Sequence, residues 1–98
     1  MDLVKEIGIP AMLDQCAEEC VELSHACMKL VRIIRGDNPT PASKIDVLSK
    51  IHEESADVLL CIHSLEDAGL INMQEVERIM DYKSDRWEER IRNLKEGK

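Results

Sequence analysis

Phenylalanine is missing from this chain, and Tyr82 and Trp87 are its only aromatic residues. A core almost without rings has to be built from Leu, Ile, Val, Met, Cys and Ala, the mix expected of packed helices. An excess of basic residues is missing too: 13 Lys and Arg stand against 20 Asp and Glu, a formal net charge of −7. That excludes an electrostatic binder of nucleic-acid polymers, which needs a basic face. It leaves open an enzyme acting on nucleotides, because a bound metal reverses the sign of the local field. No apolar run approaches the roughly 20 residues of a membrane span. The start, Met1-Asp2-Leu3-Val4-Lys5-Glu6, lacks the basic and apolar regions of a signal peptide. The expected setting is the cytoplasm, with no membrane partner and with Cys16, Cys20, Cys27 and Cys61 reduced.

No linker divides the 98 residues, so residues 1–98 read as a single domain. A domain of this size buries only about 60–65% of its unfolded surface, which makes it marginal unless subunits share a core.

What the chain does have is helical periodicity. Ile9, Leu13, Cys16, Cys20, Leu23, Cys27, Leu30 and Ile34 alternate at spacings of four and three, an unbroken heptad seam. The pattern predicts a first helix from about Pro10 to Ile34, with Pro in its first turn. Lys29, Arg32 and Arg35 suit the negative end of its dipole. The segment from Gly36 to Pro41 stops it. Ser43 caps a second helix whose seam is Leu48, Ile51, Ser55, Val58, Ile62 and Leu65, with Gly69 as its terminator. Asn72 caps a third, running to about Leu94 through Val76, Met80, Lys83, Trp87 and Leu94, with Ile79 and Ile91 beside them. The expected fold is all-α: an antiparallel bundle of three main helices per chain, completed by a homo-oligomer, dimer or tetramer, in which the seams meet.

Two acidic motifs interrupt this apolar design. Glu18-Glu19-Cys20-Val21-Glu22 lies on the first helix and Glu53-Glu54-Ser55-Ala56-Asp57 on the second. Residues three apart share a helical face, so Glu19 pairs with Glu22, and Glu54 with Asp57. The residues four beyond these acids are Leu23, Ala26, Val58 and Cys61, none of them basic. At about 100° per residue the acids fall at the flanks of the seams, where a carboxylate reaches a cleft between helices. Solvated surface acids are the plain alternative. Paired claws on two helices instead suit a hard cation with oxygen ligands, Mg²⁺ or Mn²⁺, rather than Zn²⁺. A dense cluster of this kind can hold more than one ion and stabilise both attacking and leaving oxygens.

The third helix carries opposite charge. Lys83 takes a seam position, with Arg86 three residues on and Arg90 beyond. A cation in a seam is costly unless an anion meets it. A snorkelling Lys or an interhelical salt bridge answers that demand. So does a phosphate clamp, with Lys as a point charge and Arg as a fork. Trp87 reads either as a stacking surface for a base or as a core or interface aromatic.

Taken in order, Glu-Glu-x-x-Glu, Glu-x-x-Asp and Lys-x-x-Arg on three helices resemble the MazG-like all-α nucleoside triphosphate pyrophosphohydrolases, over roughly Asp14 to Ile91. The ending from Tyr82 to Ile91 is similar to that of short, phage-type members. The resemblance implies Mg²⁺-dependent cleavage of a (deoxy)nucleoside triphosphate between its α- and β-phosphates, giving monophosphate and pyrophosphate. It implies Glu19, Glu22, Glu54 and Asp57 as metal ligands, and Lys83 and Arg86 as phosphate contacts. Glu18 and Glu22 are the candidate catalytic carboxylates, Glu18 as a water-orienting base, and Trp87 completes the candidate substrate contacts. The loop from Gly36 to Pro41 makes the distance between the two acidic motifs longer than in compact members.

Three other readings compete. Phosphoribosyl-ATP pyrophosphohydrolase is also a small helical bundle with acidic motifs. A zinc protein would draw on Cys16, Cys20, His25, His52, Cys61 and His63, although Cys16 and Cys20 sit in an apolar seam. A non-catalytic helical metal-binding or interaction module would keep the fold without the reaction.

Overall fold

Residues 1–97 of the chain are described by a computed structural model. They form four helices: α1 (Leu3–Ile7), α2 (Ile9–Arg35), α3 (Lys44–Asp67) and α4 (Met73–Lys95). No strand occurs among the described residues, and the all-α class follows.

The helix ends are set by the residues expected to set them. Pro10 lies in the first turn of α2. Gly36, at φ 69°, supplies the left-handed position that ends this helix, and its N–H donates to the Arg32 carbonyl. Ser43 Oγ accepts the Asp46 N–H at 3.1 Å, and Asn72 Oδ1 accepts the Glu75 N–H at 3.2 Å. Each satisfies one of the N–H groups that a helix start leaves without an intrahelical partner. Ser43→Ala is expected to cost about 1 kcal/mol. In a urea titration this appears as a lower midpoint at unchanged slope.

Helix α1 is an addition to the three expected. Its five residues are too few to show a periodicity, yet Asp2 caps it by accepting the Lys5 N–H at 3.2 Å. Val4 from this turn is buried against Met12, Cys61 and Leu65, with Cys16, Ala68 and Ile71 packed around them. One short helix thereby closes the end of the hairpin at which α2 begins and α3 finishes.

Helices α2 and α3 run antiparallel and share the main interface. On α2 the residues turned inward are Met12, Cys16, Glu19, Leu23, Ala26, Leu30 and Ile33. On α3 they are Val47, Ile51, Glu54, Val58, Cys61, Ser64 and Leu65, with Ala68 at its C-terminal cap. The heptad alternation is as expected, but half of each seam is displaced by one residue. Met12, Glu19, Ala26 and Ile33 replace Leu13, Cys20, Cys27 and Ile34. Val47, Glu54 and Cys61 replace Leu48, Ser55 and Ile62. Apolar residues occupy both candidate rows, so spacing alone does not choose between them. The docking of α1 on Met12 favours the observed row, as does the small Ala26, which lets the backbones approach. The displacement moves Glu19 and Glu54 from the flank of the interface into it. It also leaves Leu13 and Ile34 exposed, the latter at 68%.

Helix α4 behaves differently. None of its residues is buried, and it has no extended interface with α1, α2 or α3. A compact chain of this length has a radius of gyration of about 13 Å, whereas this one measures 17.5 Å. The stripe of Ile79, Met80, Trp87, Ile91 and Leu94 is left facing outward.

Candidate metal centre

Glu19 of α2 and Glu54 of α3 meet inside the interhelical seam, and Asp57, three residues beyond Glu54, joins them from the edge. One oxygen from each lies within 4.8 Å of the other two. This is the one group of three metal-ligating side chains that the described residues bring together.

Each glutamate has a polar neighbour one turn before it. Gln15 Nε2 donates to Glu19 Oε1 at 2.7 Å. Lys50 Nζ lies 3.0 Å from Glu54 Oε1 and also reaches Glu53 Oε2 at 3.5 Å. The other oxygen of Glu54 is left over: Oε2 is buried and has no hydrogen-bond partner. Glu54 as a whole is only 4% exposed. Burying a carboxylate oxygen without a partner is costly, and native proteins rarely do it. The glutamate that carries it is one of the group formed with two further acids. A hard cation fits this donor set, since Mg²⁺ and Mn²⁺ take carboxylate oxygens and complete their shells with water or ligand phosphates.

The electrostatics agree with the geometry. The Gln15 hydrogen bond draws the Glu19 pKa down, but partial desolvation, the charge of Asp57, and the side-chain hydrogen-bonding and charge of Glu54 outweigh it. The net result lies above the ordinary glutamate value. The hydrogen bond to Glu54, together with the charge of Glu53, holds Lys50 above the ordinary lysine value. Burial raises both the Cys16 and the Cys61 thiols, Cys20 adding to the first and Cys16 to the second. Such thiols are poor metal ligands, because it is the thiolate that binds. All four cysteines are free, and no cysteine–histidine group gathers among the described residues.

A raised carboxyl holds its proton to higher pH. The stability it lends is present below the ordinary glutamate range and is lost as pH rises through the raised value. Protons therefore compete with a cation at Glu19 from above that range. Mn²⁺ affinity is expected to begin weakening there on acidification, and Mn²⁺ titrations at a series of pH values check it.

The remaining sequence candidates fall elsewhere. Glu22 is exposed, stands one turn beyond Glu19 and is not part of the acidic group. It lines a cavity of about 420 Å³ with His25, Lys29, Arg32, Asp46 and Lys50, against apolar walls from Ala26, Met28, Ala42 and Val47. Glu18 is exposed on the outer side of α2. Lys83, Arg86, Trp87 and Arg90 line a shallow hollow of about 170 Å³ on α4, where the Arg86 guanidinium lies 5.6 Å from the centre of the Tyr82 ring. Within one chain α4 does not bring these residues to the acidic group.

The positions four residues after each acid offer no polar partner; the partners, Gln15 and Lys50, lie four residues before. Residues at i−4 and i+4 are equally neighbours on a helix.

Comparisons with protein-family models, with curated proteins and with solved structures return no match. Among the described residues no helix is long and apolar enough to cross a membrane.

Proposed function

We propose that this protein hydrolyses a (deoxy)nucleoside triphosphate between the α- and β-phosphates, with Mg²⁺ or Mn²⁺ at Glu19, Glu54 and Asp57. The observation that carries the reading is the buried, partnerless Oε2 of Glu54 within a group of three carboxylates. The order of acidic and basic motifs, with its likeness to the MazG-like pyrophosphohydrolases, supports the choice of reaction.

A divalent ion in such a site offsets phosphate charge and lowers the pKa of bound water. The protein's own part is to place and deprotonate. Glu22, on the cavity side of the acidic group, orients a water molecule and takes its proton. The water oxygen bonds to a phosphorus flanking the α–β bridge, and the bond from that phosphorus to the bridging oxygen breaks. Monophosphate and pyrophosphate leave, and Glu22 returns its proton to solvent. Gln15 holds Glu19 in place through its 2.7 Å hydrogen bond.

The reading includes a homo-oligomer. Helix α4 presents Lys83, Arg86 and Arg90, which form no ion pair among the described residues, on a helix that its own chain does not cover. The hairpin of a second copy offers the complementary charge, with Glu18, Glu22 and Glu53 exposed on its helices. Across such a contact Lys83 and Arg86 would meet the phosphates, and Trp87 the base.

Purified protein incubated with Mg²⁺ and a panel of nucleoside triphosphates is expected to release monophosphate and pyrophosphate. Phosphoribosyl-ATP belongs in the same panel. Orthophosphate release, or no turnover with any nucleotide, would overturn the proposed reaction.

A further inference from the structure

The cavity between the second half of α2 and the first turns of α3 has chemistry of its own. Lys29, Arg32 and Lys50 face it against Glu22 and Asp46. Neither Lys29 nor Arg32 has a carboxylate within salt-bridge distance among the described residues, and Arg32 Nε only reaches the Met28 carbonyl, at 3.5 Å. In a chain of net charge −7, solvent-facing acids are plentiful, and two cations kept without one in a concave site point to an anion from outside. The volume of about 420 Å³ falls in the range of small-molecule sites. Its apolar wall suits an organic group attached to the anion.

Lys50 belongs to two places at once. It lines the cavity, and its ammonium lies 3.0 Å from Glu54 Oε1. One ammonium cannot serve both a ligand phosphate in the cavity and the Glu54 carboxylate at full strength. A divalent cation on Glu54 repels Lys50 and supplies the charge that Lys50 had supplied. A phosphate in the cavity draws Lys50 away and frees Glu54 for the cation.

We infer that this cavity binds a phosphorylated small molecule through Lys29, Arg32 and Lys50, and that Lys50 couples its occupancy positively to divalent-cation binding at Glu54. The coupling rests on the metal reading given above; the phosphate site does not. Binding linkage is reciprocal, so each ligand must tighten the other by the same factor.

The probe is adenosine monophosphate, measured by calorimetry on the full chain with and without Mn²⁺, alongside Mn²⁺ titrations with and without the nucleotide. The nucleotide is expected to bind without metal. Lys29→Ala with Arg32→Ala should weaken it about tenfold or more and leave Mn²⁺ affinity within about twofold. Mn²⁺ and nucleotide should tighten each other about fivefold or more, and Lys50→Met should remove that coupling. Circular dichroism of each variant verifies that helicity is kept. No nucleotide binding to the wild type, or equal binding to the double variant, overturns the site. Coupling that survives in Lys50→Met overturns the role of Lys50 and points to a metal–nucleotide complex formed in solution. Nucleotide binding with no Mn²⁺ binding overturns the metal reading and the coupling, while the phosphate site stands.

Discussion

Glu54→Gln is expected to abolish divalent-cation binding at the acidic group and to lower turnover at least about a hundredfold, without unfolding the protein. The amide has the shape of the carboxylate, so the seam around it keeps its packing. It removes one of three neighbouring negative charges, and its N–H₂ can donate to Glu19 or Asp57. Lys50 is half-exposed and keeps Glu53, at 3.5 Å, so it is not stranded. In the absence of metal the variant should therefore melt no lower than the wild type. The difference appears when metal is added. A cation at a hundred times its dissociation constant stabilises the folded state by about 2.7 kcal/mol. For a domain of about 100 residues that is a rise of roughly 10–20 °C in Tm. The wild type should show this rise with Mn²⁺ and Glu54→Gln should not. Thermal melts with and without Mn²⁺ check the prediction; a full metal-induced rise in the variant would remove Glu54 from the site.

The second large effect concerns α4. Ile79→Asp combined with Ile91→Asp is expected to turn an oligomer into a monomer. Both side chains are exposed within one chain, at 38% and 45%, on a helix that buries nothing there. Covering an aliphatic side chain of this size is worth about 1.5–3 kcal/mol, and putting a carboxylate in its place adds a desolvation cost. Losing two such contacts weakens association by about two to four orders of magnitude, at 1.4 kcal/mol per factor of ten. Most of the stability of a protein helix comes from packing its amphipathic face, and α4 buries none of its residues within its own chain, so the far-ultraviolet helical signal should fall as the assembly separates. Sedimentation velocity and circular dichroism over a dilution series read both. A wild-type protein that sediments as a monomer at micromolar concentration with full helicity would contradict the assembly.

Much of the fold was open to reading because its signals are local. The caps at Ser43 and Asn72 and the stop at Gly36 each depend on a few adjacent residues, and each appears in the structure where it was expected; the heptad alternation is there too, with half of each seam displaced by one residue. Helix α1 was not legible, since a single turn held by Asp2 and by the burial of Val4 leaves no period to detect. The choice of seam was not legible either. Leu13 and Met12, Cys27 and Ala26, or Leu48 and Val47 are all acceptable inward residues, and only the docking of the second helix selects one of each pair. That one-residue displacement alters the acidic site most, because it carries Glu19 and Glu54 into the interface. It also explains why Gln15 and Lys50, one turn earlier on the same faces, become their neighbours.

The sequence by itself determined the class of fold, the extents of the three long helices and the presence of paired acids on two of them. Those follow from spacing, capping and turn chemistry, which act over one or two turns. The tertiary structure decided which acids meet. Glu19, Glu54 and Asp57 converge because α2 and α3 pack in one register of the two their apolar rows allow, while Glu22 faces the neighbouring cavity and Lys83 and Arg86 remain on a helix apart. Register is set by the summed packing of the whole interface, and no short stretch of chain carries that sum.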